Sequence, residues 1–123
     1  GQELIEALPA PHAGHLGRAT PAAIRNDLSR SFEIPDFRHF QTDREGRLLL
    51  TDCGPFDEGG RLFLARLGEP GRDPVASWTP LLRLRCSNIS DAHAHPFLAP
   101  DGRRGFFNSD ESGTLQAYMI EGW

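Results

Sequence analysis

An internal repeat constrains this chain more than any other feature. His39 stands seven residues before Gly46, and His95 stands seven before Gly102. Each glycine is followed by an arginine, and each arginine by a short apolar run that ends at Asp52 or Asn108. From His39 to His95 the period is 56 residues. Self-similarity on this scale means one supersecondary unit used twice, each copy burying its apolar face against the other.

Periodicity assigns the unit to β structure. Arg38 to Thr42 reads as a strand, Asp43 to Gly46 as a turn with glycine at a positive φ, and Arg47 to Asp52 as a strongly apolar second strand. Arg61 to Leu67 and Trp78 to Cys86 alternate apolar and charged residues, and are strands three and four. The cycle restarts with His93 to Leu98, a turn at Pro100 to Gly102, Arg104 to Asn108, a turn at Asp110 to Gly113, and Leu115 to Ile120. Four short strands with tight turns, then three more, predict an all-β chain of propeller blades, the last one incomplete. The period exceeds the roughly 40–50 residues of common blade repeats, and the Gly/Pro/Asp-rich loop at 68–77 supplies the excess. The expected division is a loop-rich connector or end of a preceding blade at 1–35, a blade at 36–86, and a final, incomplete blade at 87–123. Within the first stretch, Leu4 to Leu8 suits a helical turn or a short strand. Pro9 to Pro21 is loop-like, and Thr20 to Arg30 suits a short helix capped by Thr20. Two blades alone would leave long unpaired edges, so the chain is expected to be an excerpt completed by further blades.

Composition excludes several classes of partner. Seventeen acidic against thirteen basic residues give a net charge of −4, which offers no basic field to nucleic acid. No apolar run approaches the roughly 18 residues of a membrane span. Thirteen glycines and ten prolines in 123 residues suit a turn-rich β fold. Cys53 and Cys86 are too few for a disulfide scaffold and are expected to be free thiols. The compartment stays open between cytoplasm and periplasm.

The chemistry-bearing residues are histidines. His93 and His95 are two apart and share a face of the inner strand of a blade, and His39 holds the matching place in the other repeat. An isolated His-x-His in a β protein is more often a packed or solvated pair; the repeat-matched third histidine makes a metal site as good a reading. Three imidazoles with open positions suit a catalytic divalent metal. Gln41 shares the face of His39, where a fourth metal ligand could stand, and is expected instead to be a polar channel residue that contacts substrate. Asp43, Asp52 and Asp101 read as turn carboxylates bonding nearby backbone. Arg38 is expected on the opposite face from His39, and His12 and His15 as loop residues without a role.

The run from His93 through His95-Pro-Phe and Pro100-Asp-Gly to Asn108-Ser-Asp, ending in Tyr118-Met-Ile, resembles the PD40 (WD40-like) propeller repeat. Together with His39-Phe-Gln-Thr-Asp-Arg-Glu-Gly, it resembles the C-terminal blades of oligogalacturonate lyases over about residues 37–121. That resemblance implies a seven-bladed propeller that cleaves short galacturonides by β-elimination with manganese, the metal held by residues matching His39, His93 and His95. The family's fourth ligand, a glutamine three residues before the paired histidines, is Ser90 here. Its proton-abstracting arginine lies upstream of the matched region, so the chain alone is expected to be inactive. The alternative is a non-catalytic PD40-type propeller that binds protein or glycan, or another metal- or sugar-dependent propeller enzyme, because fold does not fix function.

Overall fold

The computed structural model describes residues 4–8, 14–19, 32–34, 37–68 and 75–123. Among the described residues, ten strands form three antiparallel sheets. The first holds β1 (Leu4–Leu8), β2 (Gly14–Ala19) and β3 (Phe32–Ile34) in that order. The second is a meander of β4 (Phe37–Thr42), β5 (Leu48–Cys53), β6 (Arg61–Leu67) and β7 (Val75–Arg83). The third holds β8 (Phe97–Leu98), β9 (Arg104–Ser109) and β10 (Gln116–Glu121), so the repeat recurs as four strands and then three.

The structure differs from the sequence reading at three places. The stretch from Pro9 to Pro21, expected to be a loop, contains β2, which pairs with β1 from Leu8↔His15 to Leu4↔Ala19. Two glycines depress its strand propensity, but ladder hydrogen bonds to neighbours on both sides override propensity. His15 therefore sits in a strand, while His12 and the helix expected at Thr20 to Arg30 lie outside the described residues. The inner strand expected over His93 to Leu98 shortens to Phe97–Leu98. His95 has φ 42°, which no regular strand tolerates, and Pro96 brings no N–H to a ladder. The fourth strand also runs earlier than Trp78 to Cys86, ending at Arg83.

The core lies between the second and third sheets. β5 carries Leu48-Leu-Leu-Thr-Asp-Cys53 and is buried along nearly its whole length, as expected of a central strand covered on both faces. Leu50, Leu62, Leu64 and Leu84 pack from one side against Leu98 and Phe107 from the other, with Tyr118, Ile120 and Trp123 at the margin. The opposite face of the second sheet gathers Leu49, Cys53 and Ala65 with Phe40, Phe63 and Trp78, the last two edge to face. Gly105 lies where the sheets press together: a Cβ there would stand 2.9 Å from Leu50 Cδ2 of the second sheet, and 3.2 Å from Ile120 and Trp123.

The two repeat-related turns stack as well. Asp43 is buried, and its Oδ1 accepts from the N–H groups of Arg47 and Leu48. Arg44 N–H donates to Pro100 O of the other turn. Gly102, at φ 71°, sits against Asp43 and Leu48. Trp123 Nε1 donates to Gly102 O and closes that end of the core. Both cysteines are buried thiols.

Candidate metal centre

His39 is placed by an irregularity in β4. Phe37 pairs with Cys53 and Phe40 with Thr51, so three steps along β4 match two along β5, and the extra residue is a bulge at Arg38–His39. Bulges take backbone groups out of the ladder and re-aim side chains. Side chains of β5 fill the gap. His39 N–H donates to Asp52 Oδ1 at 2.7 Å, and Thr51 Oγ1–H donates to His39 O at 2.9 Å. The ring is held by the same carboxylate, with Nδ1 3.0 Å from Asp52 Oδ2. Asp52 is only 1% exposed.

The other two histidines arrive on the segment between the sheets. Cys86 Sγ–H donates to Ala92 O and His93 N–H to Asp91 O, bending the chain toward the site. Ala94 and Pro96 are buried between the exposed or half-buried His93, His95 and Phe97, so alternation survives although the ladder does not. Ala94 O accepts from Asn108 N–H of β9 at 2.7 Å, which fixes the depth of the segment. Upstream, Asn88 donates to the carbonyls of Phe56, Gly59 and Cys86. Arg38 donates to Asn88 Oδ1 while its guanidinium lies 4.1 Å above the Phe56 ring. Arg38 thus ties the bulged strand to the histidine-bearing segment. Ser87 N–H and Oγ–H both donate to the Asp110 carboxylate, and these bonds hold that carboxyl below its ordinary value.

These restraints bring His39, His93 and His95 together with their ligand nitrogens within 4.8 Å of one another. The ring centroids of His39 and His95 are 4.0 Å apart, with His93 5.8 Å from His39 and 5.7 Å from His95. Bonds of about 2.0–2.1 Å from nitrogen to metal set neighbouring ligands roughly 3–3.5 Å apart, so small ring movements suffice to close the set. Three imidazole nitrogens at such distances fit a divalent cation of the Mn, Fe, Ni or Zn group. The electrostatics agree. Partial desolvation first, then the neighbouring His39 and His93, lower the pKa of His95 and favour the neutral, ligating form.

Gln41 joins His39, Phe40, His95, Pro96 and Phe97 around an open cavity of ≈ 450 Å³. A second cavity, lined by Arg44, Arg47 and Arg103 among other turn residues, contains none of the histidines. Ser90, in the place of the resembling family's glutamine, is exposed at φ 52° in the turn before His93.

The sequence reading singled out the three histidines that the structure brings together, and missed the carboxylate that holds His39. Asp52 is not a turn carboxylate: it reaches across to His39. Its one signal is its place at the end of the apolar run, beside His39 in the meander, which becomes informative only when the bulge is known.

No protein-family model matches the chain, and no curated protein matches it. Among solved structures, an oligogalacturonate lyase in complex with manganese superposes on 98% of this chain with a TM-score of 0.72 at 17% sequence identity. The chain spans 32% of that enzyme's chain. The likeness is one of fold: this chain is all-β and built as part of a propeller.

Proposed function

We infer that the chain is the metal-holding part of a propeller lyase acting on short uronides, with His39, His93 and His95 as the ligands and Mn²⁺ or a similar divalent ion as the cofactor. One observation carries the reading, the convergence on one point of three imidazoles, one from the second sheet and two from the segment entering the third. It is supported by a fold shared with a manganese-bound oligogalacturonate lyase. A divalent ion bound there would polarise a uronate carboxylate and ease loss of the proton α to it. The chain's own residues bind and orient. The imidazoles supply the ligand set, Gln41 offers an amide to sugar hydroxyls, and Phe97 gives an apolar wall beside His95. Among the described residues, no arginine lines this cavity. On this reading the proton-abstracting base, an arginine in the family the sequence resembles, comes from another blade of the same propeller, and the second and third sheets are consecutive blades.

A second reading, a glycan- or protein-binding propeller without catalysis, is favoured by Ser90 in place of a fourth ligand. Calorimetric titration with Mn²⁺ separates the two. One ion per chain is expected, with affinity falling at least about a hundred-fold in a His93→Ala/His95→Ala variant, since two of three ligands are lost. Digalacturonate added to the loaded chain should bind without forming unsaturated product. Absence of bound ion in the unaltered chain would overturn the lyase reading and leave the binding scaffold.

A further inference from the structure

Every hydrogen-bonding group of the His39 backbone, and one nitrogen of its ring, is taken by side chains of β5. The backbone N–H goes to Asp52 Oδ1, the backbone carbonyl to Thr51 Oγ1, and ring Nδ1 to Asp52 Oδ2. An ionised carboxylate only accepts hydrogen bonds, so a short contact with Nδ1 requires the proton on Nδ1. Neutral imidazole carries one proton, and its place on one nitrogen leaves the other as a lone-pair donor. Asp52 thereby settles which nitrogen of His39 is free, namely Nε2. The carboxylate is nearly inaccessible to water and both its oxygens are committed to His39, so it cannot swing away without leaving a buried charge unpaired.

We propose that Asp52 is a positioning residue for the candidate metal centre: it locks His39 in the Nδ1–H tautomer and aims bare Nε2 at His93 and His95. The proposal deepens the metal-site reading and rests on it for its effect on affinity. The tautomer itself is independent of any metal.

Asp52→Asn isolates the effect, because asparagine has nearly the same shape. The backbone N–H of His39 can only donate, so the amide oxygen must stay where Oδ1 was. The amide NH₂ then faces Nδ1 and donates to it, which moves the ring proton to Nε2, the nitrogen that should ligate. Thr51→Val serves as the control. It removes the hydroxyl bond to His39 O and loosens the same bulge without touching the ring.

Long-range ¹⁵N NMR of the metal-free chain reads the tautomer, and titration with Mn²⁺ reads the affinity. The expected result is an Nδ1–H ring in the unaltered chain and an Nε2–H ring in Asp52→Asn. The variant's Mn²⁺ affinity should be lower by about ten- to a hundred-fold, the range for loss of a residue orienting a ligand, while Thr51→Val keeps both properties. An Nε2–H ring in the unaltered chain overturns the proposal without any substitution, so a variant that fails to fold does not protect it. Equal losses of affinity in Asp52→Asn and Thr51→Val with no change of tautomer also overturn it, by reducing Asp52 to a support of the bulge. If the unaltered chain binds no Mn²⁺, the metal-site reading fails, and the tautomer exchange alone decides whether Asp52 holds the ring.

Discussion

The two copies of the repeat deliver a histidine to the same point by opposite means. In the first, His39 lies on a six-residue strand, and its bulge is filled by Asp52 and Thr51 of the neighbouring strand. In the second, His95 stands outside any strand at φ 42°, between a buried alanine and a buried proline, and the position matching Asp52 is Asn108. Asn108 contributes its backbone N–H to Ala94 O. The first histidine is held by a carboxylate at its ring, the second by the path of its backbone. A repeat sets where groups fall, and divergence within it decides how firmly each is held.

The same contrast appears in the packing, and substitutions can break or sharpen it. Leu50 is fully buried where the two copies meet, whereas Met119, on β10 of the second copy, is 53% exposed. Leu50→Ala should cost about 2–5 kcal/mol, since it empties a site walled by both sheets. Met119→Ala should stay within about 0.5 kcal/mol. Denaturant unfolding compares the two, and similar losses would show that the second copy's open face is as tightly packed as the first's. Gly105→Ala comes next, at about 1–3 kcal/mol by overpacking against Leu50, Ile120 and Trp123. A neutral result in the same unfolding experiment would mean that the sheets can separate cheaply.

The histidine contrast is sharpened by titration. Proton NMR should place the midpoint of His95 below 6.5 in the metal-free chain. Protonation of His95 is disfavoured by folding, so the sign is fixed: its contribution to stability is complete above 6.5 and declines as pH falls through the lower folded value. His39→Ala should move the midpoint upward without restoring it fully, because desolvation is the larger cause. A midpoint unmoved in that variant would show that the rings do not sense one another. The smallest effect is expected at the tether of the connecting segment. Ser87→Ala removes one of two hydrogen bonds to Asp110, raises the Asp110 pKa and speeds amide exchange at Ser87, with little change in global stability.

Much of this arrangement was legible in the residues. The second sheet was readable because Leu48 to Leu50 and Leu62, Leu64 carry unambiguous burial, and because the glycine turns fix register on either side of them. His39 and His95 were readable because the repeat aligned them, and His93 because it stands two residues before His95. The β2 segment was hidden because its pairing comes from backbone groups, which leave no side-chain pattern. The loss of strand at His93 to Pro96 was hidden for the reverse reason: the alternation of Ala94, Pro96 and Leu98 persists in burial while the hydrogen bonds do not. Asp52 was misread because a carboxylate next to a strand end bonds local backbone in most chains, and only the bulge at His39 turns it toward a ring.

Because His39 belongs to one sheet and His93 and His95 to the segment entering the next, the cluster spans a seam rather than a surface. An ion held by all three would act as a rivet between consecutive blades. Its free energy of binding would add to the cohesion of that seam as RT ln(1 + [ion]/Kd), about 2.7 kcal/mol at a hundred times Kd. The melting temperature of the chain would then climb with ion concentration and return to its ion-free value on chelation.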